Sequence, residues 1–186
     1  MSGTDWREEI GGRVKILQII VGALLAGSTG FLAVAAVLAL SGAIEADRDL
    51  AVAMNLVLIL FLAGDLLARL IVPRMIVDQG RRKIAAGNWS LPGGAAETEM
   101  AALIERTGDA GRLLVLYQTK TIVAAALMEG IAFFAIIVFL ITRSTVGLVV
   151  AIIMILGLAL HMPSRSGVVH WIEDQLHLIR QENQLG

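Results

Sequence analysis

The 186-residue chain contains no cysteine, which removes disulfides, thiol catalysis and thiolate metal sites. Charge is scarce: only 17% of residues are charged, against about 25% in an average soluble domain. The net charge of −1 gives no basic excess, which argues against nucleic acid as a partner. Histidine occurs three times, at His161, His170 and His177. His170 and His177 are two helical turns apart and have no third ligand nearby, so no metal site is expected. The segment 73–119 carries no glycine-rich nucleotide motif, and no cofactor is expected. Proline occurs three times, and each falls where a break is expected: Pro73, Pro92 and Pro163.

What is present is apolar bulk. Hydrophobic residues make up 57% of the chain, with a mean hydropathy of +0.79. The excess lies in four blocks at about 16–40, 50–72, 120–141 and 146–160. A bilayer core about 30 Å thick needs about 20 apolar residues per helix, so the first three blocks suffice and the fourth is short unless His161 and Met162 extend it. The first block is too long for the apolar region of a signal peptide and ends in no cleavage pattern, so it is expected to stay as the first span. The expected class is an all-α polytopic membrane protein, a four-helix transmembrane bundle with a C-terminal amphipathic helix. The chain divides into an N-terminal segment 1–15, spans one and two within 16–72, a loop with a short helix at 73–119, a transmembrane hairpin at 120–162 and an interfacial tail at 163–186.

Taken in order, 1–15 has Thr4 or Asp5 to cap a short helix and Trp6 for the membrane interface. In span one, Gly22, Ala26 and Gly30 recur every fourth residue, a ridge that lets another helix approach closely. Ser28 and Thr29 are expected to return their hydroxyls to carbonyls one turn back. In span two, Asn55 can bond to a neighbouring helix. Asp65 and Arg69, spaced i,i+4, can pair near the end of the span, where Arg69 can also snorkel. Pro73 is expected to stop that helix. Arg81, Arg82 and Lys83 form a basic patch suited to anionic lipid headgroups. The stretch NWSLPGG (88–94) is a turn-rich break. Its Asn-Trp-Ser glycosylation pattern is expected on the cytoplasmic side, where it stays unmodified. A short helix is expected at 95–105, broken by Gly108 and Gly111, and the segment 73–119 lacks the bulk for an independent domain. Tyr117 and Lys120 stand where interface anchors stand. In the tail, Ser164 or Ser166 can cap a helix whose stripe of Val168, Val169, Ile172, Leu176 and Ile179 would lie on the membrane surface or against the long loop.

With the N-terminus inside, 13 of the 15 Lys and Arg residues fall on the inner side, leaving Arg48 and Arg143 outside. Both termini are therefore expected in the cytoplasm of a cell whose cytoplasmic membrane holds the chain. Glu129, in the middle of block 120–141, is the residue most in need of explanation, because a carboxylate at that depth must be neutralised, paired or hydrated. Three roles compete. It can be structural, bonded to Asn55, Ser28, Thr29 or Arg69 to hold the bundle in register. It can be a proton or cation site. Or the bundle can anchor an interaction protein, assembling with a second copy or another membrane protein. Enzymatic chemistry is not expected. It would need convergent groups, and the one candidate pair, Asp65 and Glu129, is expected to be offset by more than a turn.

The stretch ALMEGIAFF (126–134) resembles the carboxylate helix of rotary ATP synthase c subunits, a resemblance that implies an ion-carrying Glu129. In that family the acid stands on the second helix of a two-helix hairpin, whereas here it stands on the first. A longer resemblance is carried by YQTKTIVAAALMEGIAFFAIIVFLI (117–141) and MPSRSGVVHWIEDQL (162–176). These runs are similar to an uncharacterised family of small bacterial four-span membrane proteins with a tyrosine-threonine entry, an acid-glycine pair in mid-span and a proline exit into an amphipathic tail. The resemblance implies the four-span plan, points to Tyr117, Glu129, Gly130 and Pro163, and implies no activity.

Overall fold

The computed structural model describes residues 6–91 and 97–185. The proposed caps Thr4 and Asp5, residues 92–94 of the expected break at 88–94 and the first two residues of the helix expected at 95–105 lie outside them. Among the described residues every regular element is an α-helix: α1 Trp6–Ser41, α2 Ala51–Ala85, α3 Glu97–Thr107, α4 Asp109–Thr142, α5 Thr145–Leu160 and α6 Arg165–Leu185. Three of them, α1, α2 and α4, are long and apolar enough to cross a membrane. With 36, 35 and 34 residues they run to about 50 Å at 1.5 Å per residue, well beyond a bilayer core. The fourth apolar helix, α5, has 16 residues, about 24 Å, and joins α6 across a four-residue break; only with α6 does it pass the same test.

Two expected breaks are not breaks. Pro73 lies inside α2, which continues to Ala85. Proline removes one intrahelical hydrogen bond and crowds the preceding turn, at a cost of about 3 kcal/mol, but apolar and long-chain residues on both sides keep the helix going. The helix stops instead at Gly87, which has φ +70. Gly87 N–H donates to the Ile84 carbonyl at 3.0 Å and Asn88 N–H to Lys83 at 2.9 Å, the bond pattern of a Schellman cap. Likewise Gly108, with φ +59, separates α3 from α4, but Gly111 is helical. A Cβ on Gly111 would lie 3.1 Å from Ile104 Cα, so Gly111 serves the close corner between the two helices.

The chain divides into two compact units. The first takes the described parts of Met1–Gln18, Val72–Thr121 and Pro163–Gly186. The segment 73–119 was expected to lack the bulk for a domain, and by itself it does. Packed with the two chain ends it acquires a core of Ile10, Val14, Ile84, Leu103, Leu113, Leu114, Val168, Ile172 and Ile179. The tail stripe is therefore covered by protein: of its five residues Val168, Ile172 and Ile179 are buried in this core, and Leu176 packs against it. Ser164 is the cap of α6, its hydroxyl accepting from Gly167 N–H at 3.1 Å. Trp6 packs against the same core. Ion pairs tie the segments together at the surface: Arg7 with Glu173 at 2.6 Å, Arg13 with Glu99 at 2.9 Å and Arg106 with Glu9 at 3.2 Å.

The second unit is Ile19–Ile71 with Ile122–Met162. Its interior is small and apolar, around Val21, Ala125, Ala132, Met154 and Leu158 in one cluster and Ala35, Leu58, Ala135, Ile136 and Ala151 in another. Its outside is also apolar: Ile19, Leu60, Leu40 and Leu160 are 70–89% exposed. A surface of this kind belongs in lipid. Helices α4 and α5 form a close antiparallel hairpin. Gly147 of α5 faces the backbone of Ala135 and Phe139 on α4, and Gly157 faces Met128. The turn between them holds Arg143 at φ 55. Its guanidinium donates to the Ile44 carbonyl at 2.9 Å, and Asp47 N–H donates to the Ile141 carbonyl at 3.0 Å. These bonds join the 143–144 turn to the acidic 41–49 connection and hold a non-glycine residue in a left-handed conformation.

Candidate functional site

Among the described residues of the apolar unit, Asn55 with Ser144 and Asp65 with Arg69 form two separate pairs. Asn55, on α2, receives the Ser144 hydroxyl at 2.8 Å. The same Ser144 Oγ accepts from Gly147 N–H at 3.4 Å and caps α5. One hydroxyl thus satisfies a helix end and bonds to a second helix. Ser144→Ala removes both bonds and should cost about 1–2 kcal/mol. Unfolding in mixed micelles would read this loss; a change below about 0.5 kcal/mol would mean that neither bond matters.

Asp65 and Arg69 form the expected i,i+4 pair, with Nε 2.9 Å from Oδ2. The carboxylate side chain is only 3% exposed and the guanidinium 21%. The contact is ionic and not a well-aimed hydrogen bond, since neither Asp65 oxygen nor Arg69 Nε has a hydrogen-bond partner. Arg69 Nη2 also reaches Met154 Sδ at 4.0 Å. Asp65 lines a groove of about 410 Å³ with Phe61, Gly64, Ala68, Ala126 and Gly130 among its walls. Gly64 and Ala68 on α2, and Ala126 and Gly130 on α4, are each four residues apart, so both walls are low.

Glu129 also stands on α4, but on another face. Gly27 of α1 stands opposite it: a Cβ there would lie 3.7 Å from Glu129 Oε1. One turn further on, Phe31 and Phe133 bring their rings to 5.2 Å and close the seam between the helices. Among the described residues Glu129 has no hydrogen-bond or ion-pair partner. Each of the four expected partners is accounted for otherwise. Asn55 bonds Ser144, Arg69 pairs with Asp65, Ser28 is buried with its hydroxyl unbonded, and Thr29 is exposed. Ser28 thus does not make the expected bond to its own helix. The expected offset of Asp65 from Glu129 is also corrected. Asp65 lies beside the same turns of α4, at 126–131, and what separates the two acids is the face they occupy. The cause is the 100° step of the helix, which sends 127 and 131 away from 129.

The small-residue ridge of α1 is largely uncovered. A Cβ on Gly22 would meet only the end of Met162 at 4.0 Å, Ala26 is exposed, and nothing lies within 4 Å of a Cβ on Gly30. A Cβ on Gly130 also meets nothing.

Tyr117 belongs to the first unit. Its ring meets Trp171 edge-on at 5.2 Å, and Lys120 Nζ lies 4.5 Å from the Tyr117 ring and 3.9 Å from that of Trp171. The two ring faces offset part of the cost of keeping the half-buried ammonium charged. Of the basic patch, Arg81 is turned to α6: it contacts Glu182 at 3.1 Å and Gln175 at 3.4 Å. Arg82 and Lys83 are exposed. Sequence reasoning missed Arg143, Ser144 and Gly87. The first two were legible only as a short turn, and the positive φ of Gly87 had a signal in the Gly-Asn pair that follows the last basic turn.

Comparison with family models, with curated proteins and with solved structures returns no match.

Proposed function

We propose that the chain is a multi-pass protein of a bacterial cytoplasmic membrane, a non-catalytic accessory subunit that assembles with a second copy of itself through the membrane faces of α1 and α4. The observation that carries this reading is Glu129: a carboxylate in the apolar unit, partly open, with no partner among the described residues, beside helix faces of glycine and alanine that nothing covers. A carboxyl facing lipid alone is costly, and small-residue faces are where transmembrane helices approach closely. A second copy would supply both a hydrogen-bond partner and a surface. In this reading Glu129 still holds helix packing, but between chains.

The four-span plan with both termini cytoplasmic is supported by the first unit. One core drawn from the start of α1, the middle segment and the tail favours a plan in which those three segments share a side of the membrane. That unit holds 12 of the 15 Lys and Arg residues, which favours the cytoplasmic side. Exposed Arg82 and Lys83 would face anionic headgroups there.

The absence of cysteine makes the test clean. In Ala26→Cys and Ala126→Cys proteins in bilayers, oxidative cross-linking should yield dimers. Single-molecule photobleaching should show Glu129→Gln associating within a few-fold of the natural protein. Glu129→Leu should associate about tenfold more weakly, as expected for the loss of about 1–2 kcal/mol. A chain that is monomeric at every protein-to-lipid ratio would sink the proposal. The unpaired state of Glu129 also favours a second reading, a proton or cation site. In that case Gln would abolish ion flux in proteoliposomes while leaving association unchanged.

A further inference from the structure

A second feature lies in the first unit. A cavity of about 230 Å³ is lined by Pro73, Arg74, Val77, Lys120, Trp171 and Gln175, with Asp78 and Arg81 completing it. Its charges are unbalanced. Arg81 is taken by Asp78 at 3.7 Å and by Glu182 at 3.1 Å. Arg74 is exposed and has no ion-pair partner among the described residues. Lys120 is half-buried, and its contacts are the two ring faces already described, with no carboxylate within ion-pair distance among the described residues. The one carboxylate of the lining, Asp78, is the one that meets Arg81, so Arg74 and Lys120 converge on the cavity with no carboxylate of their own among the described residues. A half-buried ammonium needs a counter-charge, and aromatic rings supply only part of it.

The position of the cavity in the chain suggests the source of that charge. Arg74 follows the apolar unit by three residues, counting from Ile71, and Lys120 precedes it by two, counting to Ile122. Tyr117 and Trp171 stand beside them, and Tyr and Trp favour the headgroup level of a membrane. The space is below the roughly 300–1,000 Å³ of a pocket that encloses a whole drug-sized ligand. It suits a phosphate with the first atoms of its substituent, the rest remaining outside.

We infer that the cavity between Arg74, Lys120 and Trp171 is a binding site for a phosphate group, that of an anionic phospholipid whose chains lie against the adjoining membrane. Lys120 supplies a point charge, Arg74 a guanidinium fork and Trp171 the wall beneath the headgroup. This site differs from the Arg82 and Lys83 surface, since neither residue lines the cavity. It does not depend on whether the chain self-associates.

Trp171 is its own reporter. In a full-length W6F/W89F protein in lipid nanodiscs, its fluorescence should be quenched more strongly by brominated phosphatidylglycerol than by brominated phosphatidylcholine at equal mole fraction. The preference should fall about fivefold in Arg74→Gln and in Lys120→Gln, the loss expected for one cation at an anionic surface. It should be retained in Lys120→Arg and unchanged in Arg82→Gln/Lys83→Gln. Arg74 is exposed, so its variant keeps the test valid if Lys120→Gln perturbs the fold. Inorganic phosphate at constant ionic strength separates the two sources: no effect on quenching assigns the site to lipid, whereas displacement of the quencher assigns it to a soluble phosphate. Equal quenching by the two lipids, or the same loss in the Arg82 and Lys83 variant, would overturn the inference.

Discussion

Asp65→Ala should destabilise the transmembrane unit by about 3 kcal/mol, with Arg69 left as a partly buried cation without its counter-ion. Breaking a buried pair costs about 3–5 kcal/mol in general. The lower end applies here because Arg69 is 21% exposed and stands near the end of the apolar segment, so it can extend its head toward water. The pair itself adds less than this figure suggests, because neither Asp65 oxygen is otherwise hydrogen-bonded and both ions were taken out of water. Asp65→Leu/Arg69→Met should therefore be close to neutral, within about 1 kcal/mol of the natural protein. Steric trapping in bicelles would measure all four corners of the cycle. A coupling energy under about 0.5 kcal/mol would show that the two side chains act independently and that the short contact has no energetic meaning.

The second large effect belongs to Gly147. A Cβ there would sit 2.9 Å from the Ala135 carbonyl oxygen and 2.9 Å from Phe139 N, both of them backbone atoms of α4. No rotamer change relieves such a clash, so α4 and α5 must separate. Gly147→Ala should cost about 1–3 kcal/mol, and Gly147→Leu should prevent the hairpin from closing. Two glycines serve as controls. At Gly157 the obstacle is Met128 Cε, the end of a flexible side chain, so alanine there should cost much less. At Gly12 of α1 nothing lies within 4 Å, and Gly12→Ala should stabilise the helix by up to about 1 kcal/mol. Thermal unfolding of the three variants gives the order directly. If Gly147→Ala is as well tolerated as Gly12→Ala, the helices do not pack as closely as the structure places them.

The candidate site divides along the same line between local and distant contacts. The Asp65–Arg69 pair was legible because i,i+4 neighbours on a helix meet whatever else the fold does. Asn55 was legible as a polar residue needing a partner, but the partner, Ser144, is 89 residues away. Glu129 was legible as an anomaly of depth. Which residue it faces depends on how α1 crosses α4, and none of the four expected partners bonds it among the described residues. Pro73 shows the opposite error: a strong local signal for a stop was overridden because the residues on both sides still favour helix, and a glycine further on made a better end.

By itself the sequence determined the helical class and the apolar runs: the described residues are helical, three of the helices are long and apolar enough to cross a bilayer, and the fourth expected span is a helix of 16 residues. Those properties follow from hydrophobic runs and helical pitch, which are local. The tertiary structure alone decided that the polar segments are not connections between spans. Ile10, Leu103, Leu113 and Ile172 come from four different helices, and none of those segments can bury its apolar face alone. Only when the chain ends and the middle segment meet does each lose enough water-exposed apolar surface to be ordered. The same assembly sets Lys120 against Trp171, because side-chain partners are chosen by packing between helices and not by spacing along one.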